Sequence, residues 1–254
     1  IFSVILNGKI YGLDEESRID SVENLFEYVK KTGKLILKPY IYSDGGRGVL
    51  LLESDESGSI SLNGSKITVN ELSNVVCKMK RYIVCEYIVQ SEYGKKLYSE
   101  TVNTIRIVTM IDPKTKQPFI ATAVQRIGTL QSNPVDNWSS GGLSALIDLE
   151  TGVLGKAVRY PNSERLEWHQ THPDTGDPIE GIRVPNWGDI KDKILRISSK
   201  FPYLEYVGWD IVPFDDDILI IEANNCTDVN LLQVHRPLLR NEMITNFYKY
   251  YKII

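Results

Sequence analysis

The stretch that most constrains this chain is "GWDIVPFDDDILIIEANN", residues 208–225. Two apolar runs of strand length flank the acidic turn Asp215-Asp216-Asp217, which predicts an antiparallel hairpin. Side chains alternate along a strand, so Glu222 and Asn224 share a face. Asp210 precedes Glu222 by twelve residues and would lie close to it across the hairpin. A solvated acidic hairpin explains residues 215–217 but not Glu222, whose setting "ILIIEAN" is apolar and requires a partner for a carboxylate. Two carboxylates and an amide oxygen on one face are hard ligands suited to Mg²⁺, with phosphate oxygens and water completing the shell.

A second stretch, "ILKPYIYSDGGRGV" (36–49), sets a lysine at the end of an apolar run and three glycines around an arginine. Glycines let backbone N–H groups converge on a phosphate with no Cβ in the way. Lys38 and Arg47 could add positive charge there. A flexible hairpin tip with a solvated arginine is the competing reading. Two familiar phosphate loops are excluded by order: a Walker loop puts its lysine after the glycines on a helix, and a protein kinase puts its glycine loop before the strand lysine.

The rest of the chain supplies sheets for these features. Asp20 and Ser21 as N-cap candidates, with Val22, Leu25, Phe26 and Val29 at helical spacing and Gly33 as the stop, predict a helix. Residues 34–41 and 49–53 predict strands, "SISLNGSKITV" a hairpin turning at Asn63-Gly64, and Asn70 the cap of a helix from about 71 to 80. Residues 103–111 and 119–127, then 143–160, read as further strands and a hairpin. Residues 161–188, with four prolines, read as a long loop, and a helix is expected at about 189–200. The expected class is α+β. The expected division is an N-terminal segment 1–32, a small lobe 33–92 and a large lobe 93–254.

Composition narrows the partners. The formal charge is −4, from 29 Lys+Arg and 33 Asp+Glu, so no basic field calls for nucleic acid or anionic lipid. Three scattered cysteines without CxxC spacing argue against a disulfide scaffold or a zinc site; Cys77 and Cys85 read as buried free thiols in a reducing, cytoplasmic setting. No apolar run reaches membrane-span length. The chain opens at Ile1 in mid-pattern, which reads as a trimmed N-terminus.

A third stretch, "YIVCEYIVQSE" (82–92), is a strand running into a loop. Strand lysine, glycine-rich loop, acidic strand-to-loop segment and a D…E-x-N hairpin, in that order, resemble the ATP-grasp superfamily, and the GGRG loop resembles its biotin carboxylase branch. "TVNTIRIVTMID", "VDNWSSGGLSALIDLETG", "HPDTGDPIEGIRVPNW" and "GWDI…IEANN…DVNLLQ" are similar to the sugar-transfer-associated ATP-grasp family, named for its genes' company with polysaccharide biosynthesis. The resemblance covers nearly all of residues 1–240.

It implies two α+β lobes with a nucleotide between them, and ATP and Mg²⁺ as cofactors. Lys38, Ser43, Gly45, Gly46, Arg47 and Gly48 would hold phosphates. Glu86, Tyr87 and Ile88 would hold adenine, with Gln90 or Glu92 at the ribose. Asp210, Glu222 and Asn224 would bind magnesium, and Arg106 would face the γ-phosphate or an acyl phosphate. The implied reaction joins a carboxylate to an amine through an acyl phosphate, on a sugar or polysaccharide precursor. Phosphoryl transfer to a hydroxyl and a non-catalytic nucleotide-binding role stay open beside it. Asn137, Ser140, Gly141, Gly142, His172 and Arg183 are candidates for the acceptor, with His172 as a possible proton acceptor and Trp138, Trp168 and Trp187 as stacking surfaces.

Overall fold

Short strands dominate, and among the described residues they assemble into two antiparallel seven-stranded sheets, one in each of two units, Ile1–Ile88 and Val89–Ile254. The computed structural model describes residues 1–13, 19–41, 48–161, 165–214, 217–225 and 227–254.

The first unit contains β1 (Ser3–Leu6), β2 (Lys9–Gly12), α1 (Val22–Thr32), β3 (Lys34–Pro39), β4 (Leu50–Ser54), β5 (Ile60–Leu62), β6 (Ser65–Lys66), α2 (Val69–Val76) and β7 (Arg81–Glu86). The sheet order is β2-β1-β7-β3-β4-β5-β6, so the residues before 33 contribute two strands and a helix to this unit. The Ser21 hydroxyl caps α1 by accepting from the Asn24 N–H at 3.1 Å. Gly33, at φ 87°, returns its N–H to the Val29 carbonyl and ends the helix. Leu25, Phe26 and Val29 pack with Leu35, Leu37 and Val84 from one face of the sheet. The opposite face carries Ile36, Lys38, Ile83 and Cys85, paired Ile36 with Cys85 and Lys38 with Ile83.

α2 begins and ends earlier than the sequence suggests. Thr68, not Asn70, is its cap: Thr68 Oγ1 accepts from Glu71 N while Glu71 Oε2 accepts from Thr68 N at 2.8 Å. That reciprocal box satisfies two helix-end donors where a lone Asn would satisfy one. The helix stops at Val76, leaving Cys77 at its C-cap as an exposed thiol rather than a buried one. Cys85 is half-buried, and burial pushes its thiol pKa up.

The second unit contains α3 (Glu92–Leu97), β8 (Ile105–Ile111), β9 (Pro118–Ile127), β10 (Leu143–Ile147), β11 (Leu154–Arg159), β12 (Trp168–His169), α4 (Trp187–Ser199), β13 (Tyr206–Phe214), β14 (Asp217–Asn224), α5 (Asn230–Gln233) and α6 (Glu242–Tyr250). Its order is β12-β11-β10-β9-β8-β13-β14. α3 and α4 pack on one face through Leu97, Ile190 and Ile194. α5 and α6 pack on the other through Leu231, Leu232, Ile244 and Phe247. A sheet covered on both faces explains why "IRIVTMI" is apolar without alternation, and it makes the one arginine in that run conspicuous. The expected loop 161–188 is more ordered than the sequence suggests. It contributes edge strand β12, and α4 already starts at Trp187. No helix among the described residues is long and apolar enough to cross a membrane.

Candidate functional site

The C-terminal hairpin forms in the register expected from its sequence. Asp210 pairs with Glu222, and Gly208 with Asn224. A bulge follows at once, with Ile211 opposite Ile220, so Ile221 is the extra residue. Bulges bend a strand and re-aim its side chains, and this one adjoins the acidic pair. On its other side Asp210 pairs with Arg106 of β8, which pairs with Val124 of β9. Glu222, Asp210 and Arg106 therefore stand in one row on one sheet face.

Asp210 is 2% exposed. Arg106 grips it with both Nε and Nη2, the latter donating to Oδ2 at 2.8 Å. Arg126, at the end of β9, donates from Nη1 to the same Oδ2 at 2.8 Å and from Nη2 to Asp136 Oδ1 at 2.6 Å. Asp136 is anchored in turn by the N–H and hydroxyl of Thr104, at 2.8 and 2.6 Å. Arg106 Nη1 donates to Thr227 Oγ1 at 2.5 Å. The result is a buried chain of alternating charge, Thr104–Asp136–Arg126–Asp210–Arg106–Thr227. Such networks hold guanidinium planes rigidly, because each lost bond would strand a buried charge.

Gly208 makes the packing possible. A Cβ there would lie 2.5 Å from Thr227 Oγ1, 2.6 Å from Thr227 Cβ and 3.1 Å from Arg106 Cδ. Burial pushes the Asp210 carboxyl up, but the hydrogen bond from Arg106 and the charges of both arginines outweigh it, so the group is held below the usual carboxylate range. Burial works against the Arg106 cation too, and Asp210, Glu222 and Asp136 more than restore it.

Glu222 is exposed, and Asn224 Nδ2 donates to its Oε1 at 3.1 Å. Glu222 lies opposite Asp210 across the hairpin. Among the described residues no three His, Cys, Asp or Glu side chains form a metal cage. The donor set fits a hard divalent ion that draws most of its shell from water and substrate oxygens. Asp210 already accepts three guanidinium N–H bonds, leaving it one acceptor position at most. Glu222 and Asn224 are the better-disposed pair.

The other expected residues fall differently. Lys38 is on the half-open face of the first sheet, where its charge lowers the Cys85 thiol against the larger effect of burial. Gly48 has φ 78°, and a Cβ there would meet the Pro39 ring and the Tyr82 hydroxyl at 3.0 Å. Ser43, Gly45, Gly46 and Arg47 lie outside the described residues. Glu86 ends β7, and Tyr87 lies under the Lys34 ammonium at 4.9 Å from its ring centre; Ile88 closes the first unit.

Gln90 is directed inward. Its Nε2 donates to the Tyr98 carbonyl at 2.8 Å and its Oε1 accepts from Asn103 Nδ2 at 2.9 Å, so its amide ties the start of the second unit together instead of facing a ribose. His172 is likewise committed: Nε2 donates to the Gly128 carbonyl at 2.8 Å, Nδ1 accepts from Asp174 N at 3.2 Å, and the ring stacks on Tyr98. With both nitrogens engaged it has no lone pair for a substrate proton. Arg183 donates to the Thr151 carbonyl at the β10–β11 turn, the far end of those strands from His172. Asn137 donates to Ser139 and Ser140, and the segment closes through Gly141 at φ 106° and Gly142, directly after Asp136. It therefore adjoins the arginine network. Trp138 and Trp187 are buried with their indole N–H groups on the Val158 and Leu149 carbonyls. Trp168 is exposed.

The sequence reading missed Arg126, Asp136, Thr104 and Thr227. Arg126 carried a usable signal, as a charge ending the apolar run "FIATAVQRI". Asp136, in a polar loop, carried none.

Two α+β units fit the fold of an ATP-grasp enzyme, one that uses ATP. The family model for sugar-transfer associated ATP-grasp proteins matches residues 4–246, and the chain belongs to that family. No curated protein matches the chain.

Proposed function

We propose that this ATP-grasp enzyme is a carboxylate–amine ligase acting on a sugar or polysaccharide precursor. The observation that supports it is the fixed Arg106–Asp210–Arg126 cluster in one row with exposed Glu222. In the reaction a substrate carboxylate oxygen bonds to the γ-phosphorus of ATP as the bond to the ADP oxygen breaks. The acyl phosphate then takes an amine at its carbonyl carbon and releases inorganic phosphate, and the amine's proton leaves to solvent or to a substrate oxygen. Phosphoryl transfer needs positioning and charge neutralisation more than a protein nucleophile.

Arg106 and Arg126 meet that need, because each guanidinium keeps N–H donors beyond those it gives to Asp210, Thr227 and Asp136. Their anchoring means little reorganisation accompanies the build-up of charge. Magnesium, held by Glu222 and Asn224 with at most one oxygen of Asp210, would neutralise phosphate charge when bound. Lys38 and the 43–48 segment are assigned to the ATP phosphates, and Glu86–Ile88 to adenine. Asn137–Gly142 is assigned to the acceptor, without His172 or Arg183. Use of ATP and the free thiols Cys77 and Cys85 fit a cytoplasmic setting.

The test is an ADP-release screen over pairs of sugar acids and amines, with mass spectrometry of the products. Inorganic phosphate together with a new amide is the expected result. A stable phosphoester would replace ligation with transfer to a hydroxyl.

A further inference from the structure

The outer edge of the second sheet carries polar atoms that the arginine site does not use. β11 and β12 pair Ala157 with His169 and Val158 with Trp168. The ladder extends through a bond from Arg159 N to the Glu167 carbonyl at 3.1 Å. Directly opposite and diagonal residues share a face, so Arg159, Glu167 and His169 stand together on one side of this hairpin. Trp168 is on the other side, 43% exposed.

Among the described residues Arg159 Nε and His169 Nε2 are buried with no hydrogen-bond partner, and so is the hydroxyl of Tyr98, a residue only 3% exposed. The nearest carboxylate oxygen to His169 Nε2, on Glu167, is 4.0 Å away. Tyr98 stacks on His172 with ring centres 4.7 Å apart, three residues along the chain from His169. Asp174, which accepts from Leu130 N at 2.8 Å, acts on both Tyr98 and His169. Native proteins rarely leave buried polar atoms unpaired; two of these stand on one side of this hairpin and the third is on the ring that stacks on His172, which points to a missing partner.

The chemistry of the group selects that partner. Arg159 only donates. The Tyr98 hydroxyl both donates and accepts, as does a neutral imidazole, and Glu167 and Asp174 accept. Burial, then the charge of Arg159, holds the His169 imidazole below its ordinary pKa and so neutral at neutral pH. An anion would meet two carboxylates and a cation would meet the guanidinium. Vicinal hydroxyls, which donate and accept in equal measure, satisfy all of them.

We infer that the β11–β12 edge is a saccharide-binding subsite built from Arg159, His169, Glu167 and Tyr98. It rests on the proposed ligase reading in that the bound sugar is the molecule to be modified, and it would hold part of that glycan at the sheet edge.

The test uses the full chain on an array of neutral and acidic oligosaccharides, followed by isothermal titration of the best-bound one. Retention is expected, weakened about tenfold or more in both His169→Ala and Glu167→Gln, as the loss of a hydrogen bond to a buried or charged group predicts. Glu167→Gln, on an exposed side chain, guards against a mere folding defect. A fluorescent ATP analogue should bind wild type and variants alike. No saccharide retained, full affinity in both variants, or displacement of the sugar by inorganic phosphate would overturn the subsite. Saccharide binding without nucleotide binding would support the subsite and refute the ligase reading instead.

Discussion

Asp210→Asn tests the central claim that this carboxylate is the anchor of two arginines. The side chain is buried and accepts three N–H bonds, two of them at 2.8 Å. Asparagine keeps the volume and one acceptor oxygen, but its NH₂ group faces guanidinium N–H donors. Removing one member of a buried ion pair costs about 3–5 kcal/mol, and the retained oxygen places this substitution near 3 kcal/mol. All four tryptophans, Trp138, Trp168, Trp187 and Trp209, belong to the second unit, so intrinsic fluorescence follows its unfolding alone. With a urea m-value of ~2 kcal/mol/M the midpoint should fall by about 1.5 M. The measurement is made in EDTA, so no bound metal contributes. Because the folded pKa of Asp210 is depressed, its contribution is complete above the ordinary value of 3.8 and is lost as pH falls through the folded one. The gap between wild type and variant should therefore close in acid. A midpoint unchanged within about 0.3 M, which is well under 1 kcal/mol, would refute the anchor role and return Asp210 to the metal.

Glu222→Gln changes an exposed group, so stability should hold within about 0.5 kcal/mol. Its magnesium-dependent ATP turnover should fall roughly a hundredfold, and turnover that survives would remove Glu222 from the metal site. Gly208→Ala drives a methyl into Thr227 and should cost ~1–3 kcal/mol in the same fluorescence assay; a neutral result would mean Thr227 moves freely. His235, bonded to Ser144 Oγ at 2.8 Å and edge-on to Trp168, is held by burial and then Arg236 at a pKa of about 4, against 6.5 ordinarily. Its contribution is complete above pH 6.5 and is lost as pH falls towards 4, worth about 3 kcal/mol in total. His235→Gln should flatten stability over that range, and an unchanged acid profile would assign it elsewhere.

Much of this architecture was legible because strands and turns are local. The hairpin at 208–224 and its Asp210–Glu222 register followed from alternation and one acidic turn. The cap pair Asp20-Ser21 and the stop at Gly33 bounded α1 by the chemistry of helix ends, and the structure chose Ser21. The start of α2 was misread because two caps competed within three residues, and the reciprocal Thr68–Glu71 pair won.

What the linear chain determined was the class of fold and the spacing that sets Asp210 opposite Glu222; it suggested an apolar core around Glu222, which proved exposed. What only the tertiary structure decided was which buried charges pair. Arg126 and Asp136 come from a strand end and a loop 84 and 74 residues before Asp210. Gln90 and His172 looked equally available in sequence and proved fully engaged. Alternation and capping act over a few residues and can be read along the chain. The pairing of buried charges acts through space, between strands that become neighbours only when the sheet forms.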